Sequence, residues 1–589
     1  MRTSLQLTLL ILALTTCAAE ARPSRRRLKS PITRTTTGRV RGRQEMVLDI
    51  RTRIFLGIPY AEPPVGALRF ARPQPKRPWR HLLNATERHA TCPQAPLSRI
   101  TYHVTDKWEV NTEISEDCLY LNVWAPKTSY GHLPVIVWIH GGGFFMGSAT
   151  LDLYDGKYLA AYGYVIVVSM NYRLGALGFM YLGGDAVAGN MGLLDQLLAL
   201  RWVKENAASF GGDPGRITLM GESAGASAVG YHLLSPLSAG LFSAAILQSS
   251  SPLCRYSYSA PERILNLSRK LVTALECDRP TEQEVVDCLR EVPAEAFPRT
   301  SLQPGVVESI GILLHAFTPT VDNYFLLSPP EKAVTQVSDT VPIMVSSVAD
   351  EGTFFVMFGL PHLFPTMNSS AVSRAQYSQS VARIFPRYGE STLDVIRYIY
   401  SAWPYGDREN ARALGAMVGD YHFTCPVNRF ALLWAETGAD VYMYQFSHRT
   451  ESSAYPEWIG SAHADDLDYT FGMPLGESGN YTGQERNLTM DVMMYIVNFA
   501  STKNPNYAKA LQFPGTLIWP RYTNKTRQYF VFDEEESVQT SPRTKHCEIW
   551  EKLVPSLEKR EGEKVCVATN VYTSTQCLDV LIFICHSPS

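Results

Sequence analysis

At 589 residues with 45% apolar side chains, the chain can bury a large core, and no Gly/Ser/Pro-rich tract, long charge run or fixed-period repeat after residue 40 marks a dividing linker. A net charge of -2 with both signs mixed along the chain excludes the broad basic surface that nucleic acid or an anionic membrane requires. One large folded unit remains.

Residues 1–21 carry Arg2, an apolar run from Leu5 to Leu14, and small residues ending at Ala21, the pattern of a cleaved secretory signal peptide too short to span a membrane. The basic N-terminal segment 22–31 holds Arg25, Arg26 and Arg27 and reads as a solvated stretch rather than a binding patch. Secretion permits disulfides and gives meaning to N-glycosylation sequons at Asn84, Asn266, Asn368, Asn480, Asn487 and Asn524.

Two nearly continuous apolar runs, Pro134 to Ile139 and Tyr164 to Ser169, predict strands buried on both faces. The first leads into His140-Gly141-Gly142-Gly143-Phe144, where glycines bare backbone N–H groups at a strand end. From Gly192 to Phe210, leucines recur at helical spacing until Gly211-Gly212-Asp213-Pro214 stops the pattern. The run Arg216 to Met220 predicts another strand, Gly221-Glu222-Ser223-Ala224-Gly225 a sharp turn, and the Ala-rich segment after it a helix. A serine on such a turn projects from the sheet toward backbone N–H groups at the helix start, which suits attack on a carbonyl. Further strands are predicted at Ile343 to Val348 and Val441 to Phe446. Strands alternating with helices imply an α/β fold, a large mostly parallel central sheet flanked by helices, with ligands at the carboxyl ends of its strands.

In a fold of this kind an acid and then a histidine follow the serine in the chain. The acid lies at Asp350 or Glu351, and the residues alone do not choose between them. Of the downstream histidines, His448 and His463 both follow the strand ending at Phe446 and are equally placed. Eleven cysteines occur, of which Cys17 lies in the leader, and spacing alone does not give connectivity among the others. In the tail after residue 556, the apolar stretch Leu578 to Cys585 is too short to span a bilayer.

Ser115 to Pro126, the segment around Ser223, Gly211 to Pro214, Ala349 to Gly352, Tyr455 to Gly460 and Phe471 to Pro474 together resemble the type-B carboxylesterases, specifically the cholinesterases. The likeness implies an α/β-hydrolase catalytic domain over residues 32–555, with 556–589 as a C-terminal tail. It implies Ser223 as nucleophile, Glu351 as orienting acid, His463 as base, and Gly142, Gly143 and Ala224 as the oxyanion hole. It also implies disulfides Cys92 with Cys118, Cys277 with Cys288, and Cys425 with Cys547, leaving Cys254 as a buried free thiol. Cys566 or Cys577 is a candidate for linking two copies into a homodimer, and Cys585 has no assigned partner.

The resemblance places Trp108, ten residues before Cys118, where an indole receives quaternary ammonium, with Glu222 and Phe354 at further choline-site positions. Leu313 and His315 stand where acetyl-selective members carry phenylalanines, which implies room for longer acyl groups. Tyr256 and Pro304 stand where tryptophans are common, which implies a weak peripheral cation site. The implied activity is secreted, cofactor-free and metal-free hydrolysis of choline esters by a Ser-His-Glu acyl-enzyme, falling as pH drops through about 6 if His463 titrates as an ordinary imidazole. A general carboxylesterase without choline preference, and a noncatalytic adhesion domain of the neuroligin kind, are the alternatives.

Overall fold

A computed structural model describes residues 30–96, 103–129, 131–307, 309–314, 317–338, 340–366, 369–401, 406–477, 479–506 and 517–560. The signal peptide, most of the basic segment, His315, Asn368, Cys566, Cys577 and Cys585 lie outside them. Eleven strands form the main sheet, labelled here in chain order: β1 Arg43–Val47, β2 Ile50–Pro59, β3 Tyr120–Pro126, β4 Leu133–Ile139, β5 Ile166–Met170, β6 Gly212–Glu222, β7 Ala244–Gln248, β8 Ile343–Val348, β9 Val441–Phe446, β10 Gln528–Phe532 and β11 Ser537–Thr540. In space they run β11-β10-β9-β8-β7-β6-β4-β5-β3-β2-β1.

From β5 to β10 every neighbouring pair is parallel, and the outer pairs on both edges are antiparallel. Every residue of β4, β5 and β8 is buried, as expected where helices cover both faces. The chain winds from β4 outward to β5 and then crosses to β6 on the other side. The strand order thus reverses between β4 and β6, which opens a crevice at their carboxyl ends.

Two predicted elements differ in detail. The run beginning at Tyr164 enters the sheet only at Ile166, because Tyr164 adopts a left-handed φ of 49° that closes the preceding helix, Lys157–Gly163. The helix expected to reach Phe210 is Met191–Asn206 (α1), followed by a tighter turn, Ala207–Phe210. Gly211 stops it at φ 91°, but Gly212 already belongs to β6. Pro214 is tolerated there because a register shift between Leu133 and Val135 takes up the residues around it.

Disulfides join Cys92 to Cys118, Cys277 to Cys288 and Cys425 to Cys547, and Cys254 is a buried free thiol. The asparagines of the five described sequons, Asn84, Asn266, Asn480, Asn487 and Asn524, are exposed. No helix among the described residues is long and apolar enough to cross a membrane.

The bridges close loops of very different length, with sequence separations of 11 for Cys277–Cys288 and 122 for Cys425–Cys547. Loop entropy then predicts unequal costs, about 3 kcal/mol for replacing the short pair by alanines and about 5 kcal/mol for the long pair. Denaturant unfolding of the two double variants measures this, and equal midpoints would refute the ordering.

Candidate active site

The carboxyl end of β6 delivers Ser223, which caps the N-terminus of Ala224–Leu234 (α2). Its backbone sits at φ 55° and ψ −127°, an unfavourable region for a residue with a Cβ. The turn is held from both sides: Ser223 N–H donates to the Gln248 carbonyl at 2.9 Å, and the Ser223 carbonyl accepts from Ser227 N–H at 3.0 Å. Ala224, Ala226 and Ala228 are fully buried, so small side chains bring α2 close against the sheet. A Cβ on Gly225 would collide with the Ile139 carbonyl at the end of β4.

The same end of β4 carries the glycine loop. Gly142 takes φ 102°, and a Cβ there would strike the Met146 carbonyl. Gln94 grips the loop's far side, donating to the Gly147 carbonyl at 2.8 Å and accepting from Gly147 N–H at 2.9 Å. His140, pushed down to about 4 by burial, is neutral and stacks on Tyr172 at 4.5 Å. The loop containing Gly142 and Gly143 therefore lies beside the start of α2, where Ala224 N–H has no carbonyl of its own helix to bond. Preorganised N–H groups of this kind suit a developing oxyanion.

Of the two carboxylates after β8, Glu351 is the one that meets a histidine. Its Oε2 lies 2.5 Å from His463 Nδ1, and its Oε1 accepts from Val348 N–H at 2.9 Å. Asp350 instead clamps the loop that carries His463, accepting from Ser461 N–H at 3.1 Å while its own N–H donates to the Ser461 carbonyl at 3.0 Å. His448 turns away from this cluster to Glu485, 3.3 Å from its Nε2. Geometry thus separates both pairs that spacing left open.

His463 Nε2 faces Glu222 Oε1 at 3.1 Å without the alignment of a hydrogen bond, and it has no other partner among the described residues. Ser223 Oγ rests 3.5 Å from the Tyr256 hydroxyl, which itself donates to Ser250 Oγ at 2.7 Å. Burial opposes a charge on His463, but Glu222 and Glu351 outweigh it and raise the imidazole to about 9. Glu222 is pushed up to about 8 by burial, against the pull of His463. The carboxylates thus hold the proton on His463 to higher pH than on an ordinary imidazole, a direction that would carry the acid limb expected near pH 6 toward alkaline values.

Trp108 is partly buried against the core on the same side of the sheet as α-helix Gly483–Thr502. Phe354 packs on Phe358 at 4.6 Å and faces Tyr455 at 6.4 Å. Its neighbour Phe355, not Phe354, reaches the His463 ring, at 5.1 Å. Leu313 is buried in the main core. Three features had no motif to announce them. They are the Tyr256 hydroxyl beside the serine, the Lys107 ammonium near Trp108, and buried Asp466, which receives Gln248 Nε2 at 3.0 Å and is pushed up to about 7 by burial. The contacts of Tyr256 and Asp466 depend on segments meeting from distant parts of the chain, whereas Lys107 and Trp108 are neighbours in one short helix, His103–Trp108.

A family model described as the carboxylesterase family matches residues 29–550. An acetylcholinesterase of Leptinotarsa decemlineata is 36% identical over 570 residues, covering 92% of this chain and 89% of the relative. An acetylcholinesterase of Bungarus fasciatus is 39% identical, covering 89% and 86%, and a cholinesterase of Mus musculus is 38% identical, covering 90% and 88%.

Replacing Glu222 by Gln removes one of the three carboxylates that favour the imidazolium, so the His463 pKa should fall by about one unit or more. A pH titration of the His463 ring protons by NMR reads this directly. An unchanged or raised value in Glu222→Gln would refute the assigned cause.

Proposed function

Because the chain belongs to the carboxylesterase family, we propose that it is a secreted serine esterase that hydrolyses choline esters through an acyl-enzyme on Ser223. The observation that carries this reading is the 2.5 Å pair of His463 Nδ1 with Glu351, formed beside a serine held on a strained strand-to-helix turn. Two acetylcholinesterases and a cholinesterase among its relatives supply the choline-ester class.

The reaction starts as the Ser223 side chain rotates from Tyr256 toward His463 Nε2. Neutral His463 takes the hydroxyl proton while Oγ attacks the ester carbonyl carbon, and Glu351 steadies the imidazolium that forms. The carbonyl oxygen gathers negative charge against the N–H groups of Gly142, Gly143 and Ala224, each worth about 3 kcal/mol to the tetrahedral intermediate. As that intermediate collapses, the C–O bond to choline breaks and His463 returns the proton to the departing alcohol. Water then attacks the acyl-enzyme by the same sequence, giving the carboxylic acid and free Ser223. Trp108 receives the quaternary ammonium, with Glu222 and Phe354 as further walls of the site.

Leu313 and His315 stand in the sequence where acetyl-selective members of the family carry two phenylalanines, so propionyl and butyryl esters are accepted beside acetyl. Extracellular placement follows from the leader at residues 1–21, with glycans on the exposed sequons. Pairing of two copies through Cys566 or Cys577 in the tail completes the reading.

An organophosphate should label Ser223 in one-to-one stoichiometry and abolish turnover, and absence of labelling would return the chain to a noncatalytic role. Turnover of propionylcholine and butyrylcholine should fall within about tenfold of acetylcholine, since an extra methylene in an apolar pocket changes binding by only that order. Hydrolysis of acetylcholine alone would overturn the wide acyl pocket. Trp108→Ala should cost a choline ester about tenfold more in kcat/KM than its uncharged isostere, and equal losses would remove the indole from cation recognition.

A further inference from the structure

Lys107 brings a positive charge of the protein's own to the place where a cationic substrate is received. Its Nζ lies over the Trp108 ring, 5.4 Å from the centroid, inside the range of about 6 Å in which an ammonium is drawn to an indole face. It also lies 3.6 Å from Asp465 Oδ1. Asp465 cannot swing away, because its Oδ2 accepts from Ala462 N–H at 2.9 Å, across the turn that carries His463. The lysine is thus anchored to the catalytic loop itself.

The ammonium stays charged there. Burial opposes the charge, but Asp468, Asp465 and Tyr455 together outweigh it. Its field reaches Glu222 beside the nucleophile, where it favours the ionised carboxylate. A cationic ester entering this site therefore meets a like charge already placed at the indole and carboxylates already partly compensated.

We propose that Lys107 is a resident cation that sets substrate-charge preference, weakening selection for quaternary ammonium esters so that uncharged esters of the same shape compete well. This rests on the esterase reading of Ser223, which it refines. A brace between the Trp108 segment and the His463 loop would also explain the Lys107–Asp465 pair. The two roles part in their effect on substrates: a brace acts on all esters alike, whereas a resident charge acts only on charged ones.

The test compares kcat/KM for acetylcholine and for its uncharged isostere, 3,3-dimethylbutyl acetate, in the wild type and in Lys107→Met. The cationic-to-neutral ratio should rise about tenfold or more, the order expected from removing one unit charge a few ångströms away. Lys107→Arg, which keeps the charge, should leave the ratio near the wild-type value. If Lys107→Met leaves Asp465 unpaired and unfolds, Lys107→Met with Asp465→Asn vacates the indole face without an orphaned carboxylate, and the ratio should rise there too. Equal changes on both esters in a folded variant would overturn the proposal and leave the brace. Calorimetric binding of tetramethylammonium, which needs no turnover, should tighten by a similar factor in Lys107→Met. That measurement decides the point even if neither ester is hydrolysed, an outcome that would defeat the esterase reading instead.

Discussion

Ser223 is held where its backbone does not rest comfortably, and much of the architecture around it enforces that position. A residue with a Cβ in such a conformation costs on the order of 1–3 kcal/mol, so the surroundings must over-determine it. They do so by close packing at the β4/β6 reversal, where Gly225 lets α2 approach Ile139 and a Cβ on Gly221 would come within 2.5 Å of the Gly225 backbone. Gln248 then links the serine to the rest of the site. Its carbonyl receives Ser223 N–H, while its side-chain amide donates to Tyr444, Asp466 and Thr470. One residue at the end of β7 therefore ties the turn of the nucleophile to the helix start just after His463.

Charge imposes the second constraint. Glu222, Glu351 and Asp466 are all at least 97% buried and crowd one imidazole, a costly arrangement unless something offsets the lost hydration. His463 is that offset: it favours the ionised forms of Glu222 and Asp466 and is itself held cationic by carboxylates. The same set of charges gives a histidine that is more basic, and a reaction that needs that histidine neutral. In the proposed reaction, proton occupancy of the cluster as a whole, rather than of one ring, governs when Ser223 is deprotonated.

Much of this was legible before any coordinates. The nearly continuous apolar runs of β4 and β5 are strands because both faces are covered, and the glycine-flanked serine reads as a turn because only small neighbours allow it. What composition could not separate was Asp350 from Glu351, or His448 from His463. Both members of each pair follow the same strand, and their roles differ by which groups lie opposite. Asp350 is used by Ser461 and Glu351 by His463, contacts set by how two distant loops lie together. The family resemblance picks the same residues for a different reason, since it carries the outcome of that packing without its cause. Phe355 reaches the imidazole while Phe354 faces Tyr455, a division between neighbours that helical spacing alone does not give.

In the proposed reading, triad, oxyanion loop and elbow specify a reaction type, and they do so through glycines, backbone N–H groups and one buried ion pair. Preference for one ester over another lies in side chains those motifs do not contain. Tyr256 places a hydroxyl, already committed to Ser250, within 3.5 Å of the nucleophile. Lys107 sits between an indole and an aspartate that is itself fixed to the catalytic loop. Tyr256 thus lies beside Ser223, and the field of Lys107 reaches Glu222 next to it. On the proposal for Lys107, a charge beside the indole acts on charged substrates and leaves neutral ones alone. Selectivity in this fold can therefore change through a single residue beside a motif while every residue within the motif stays the same.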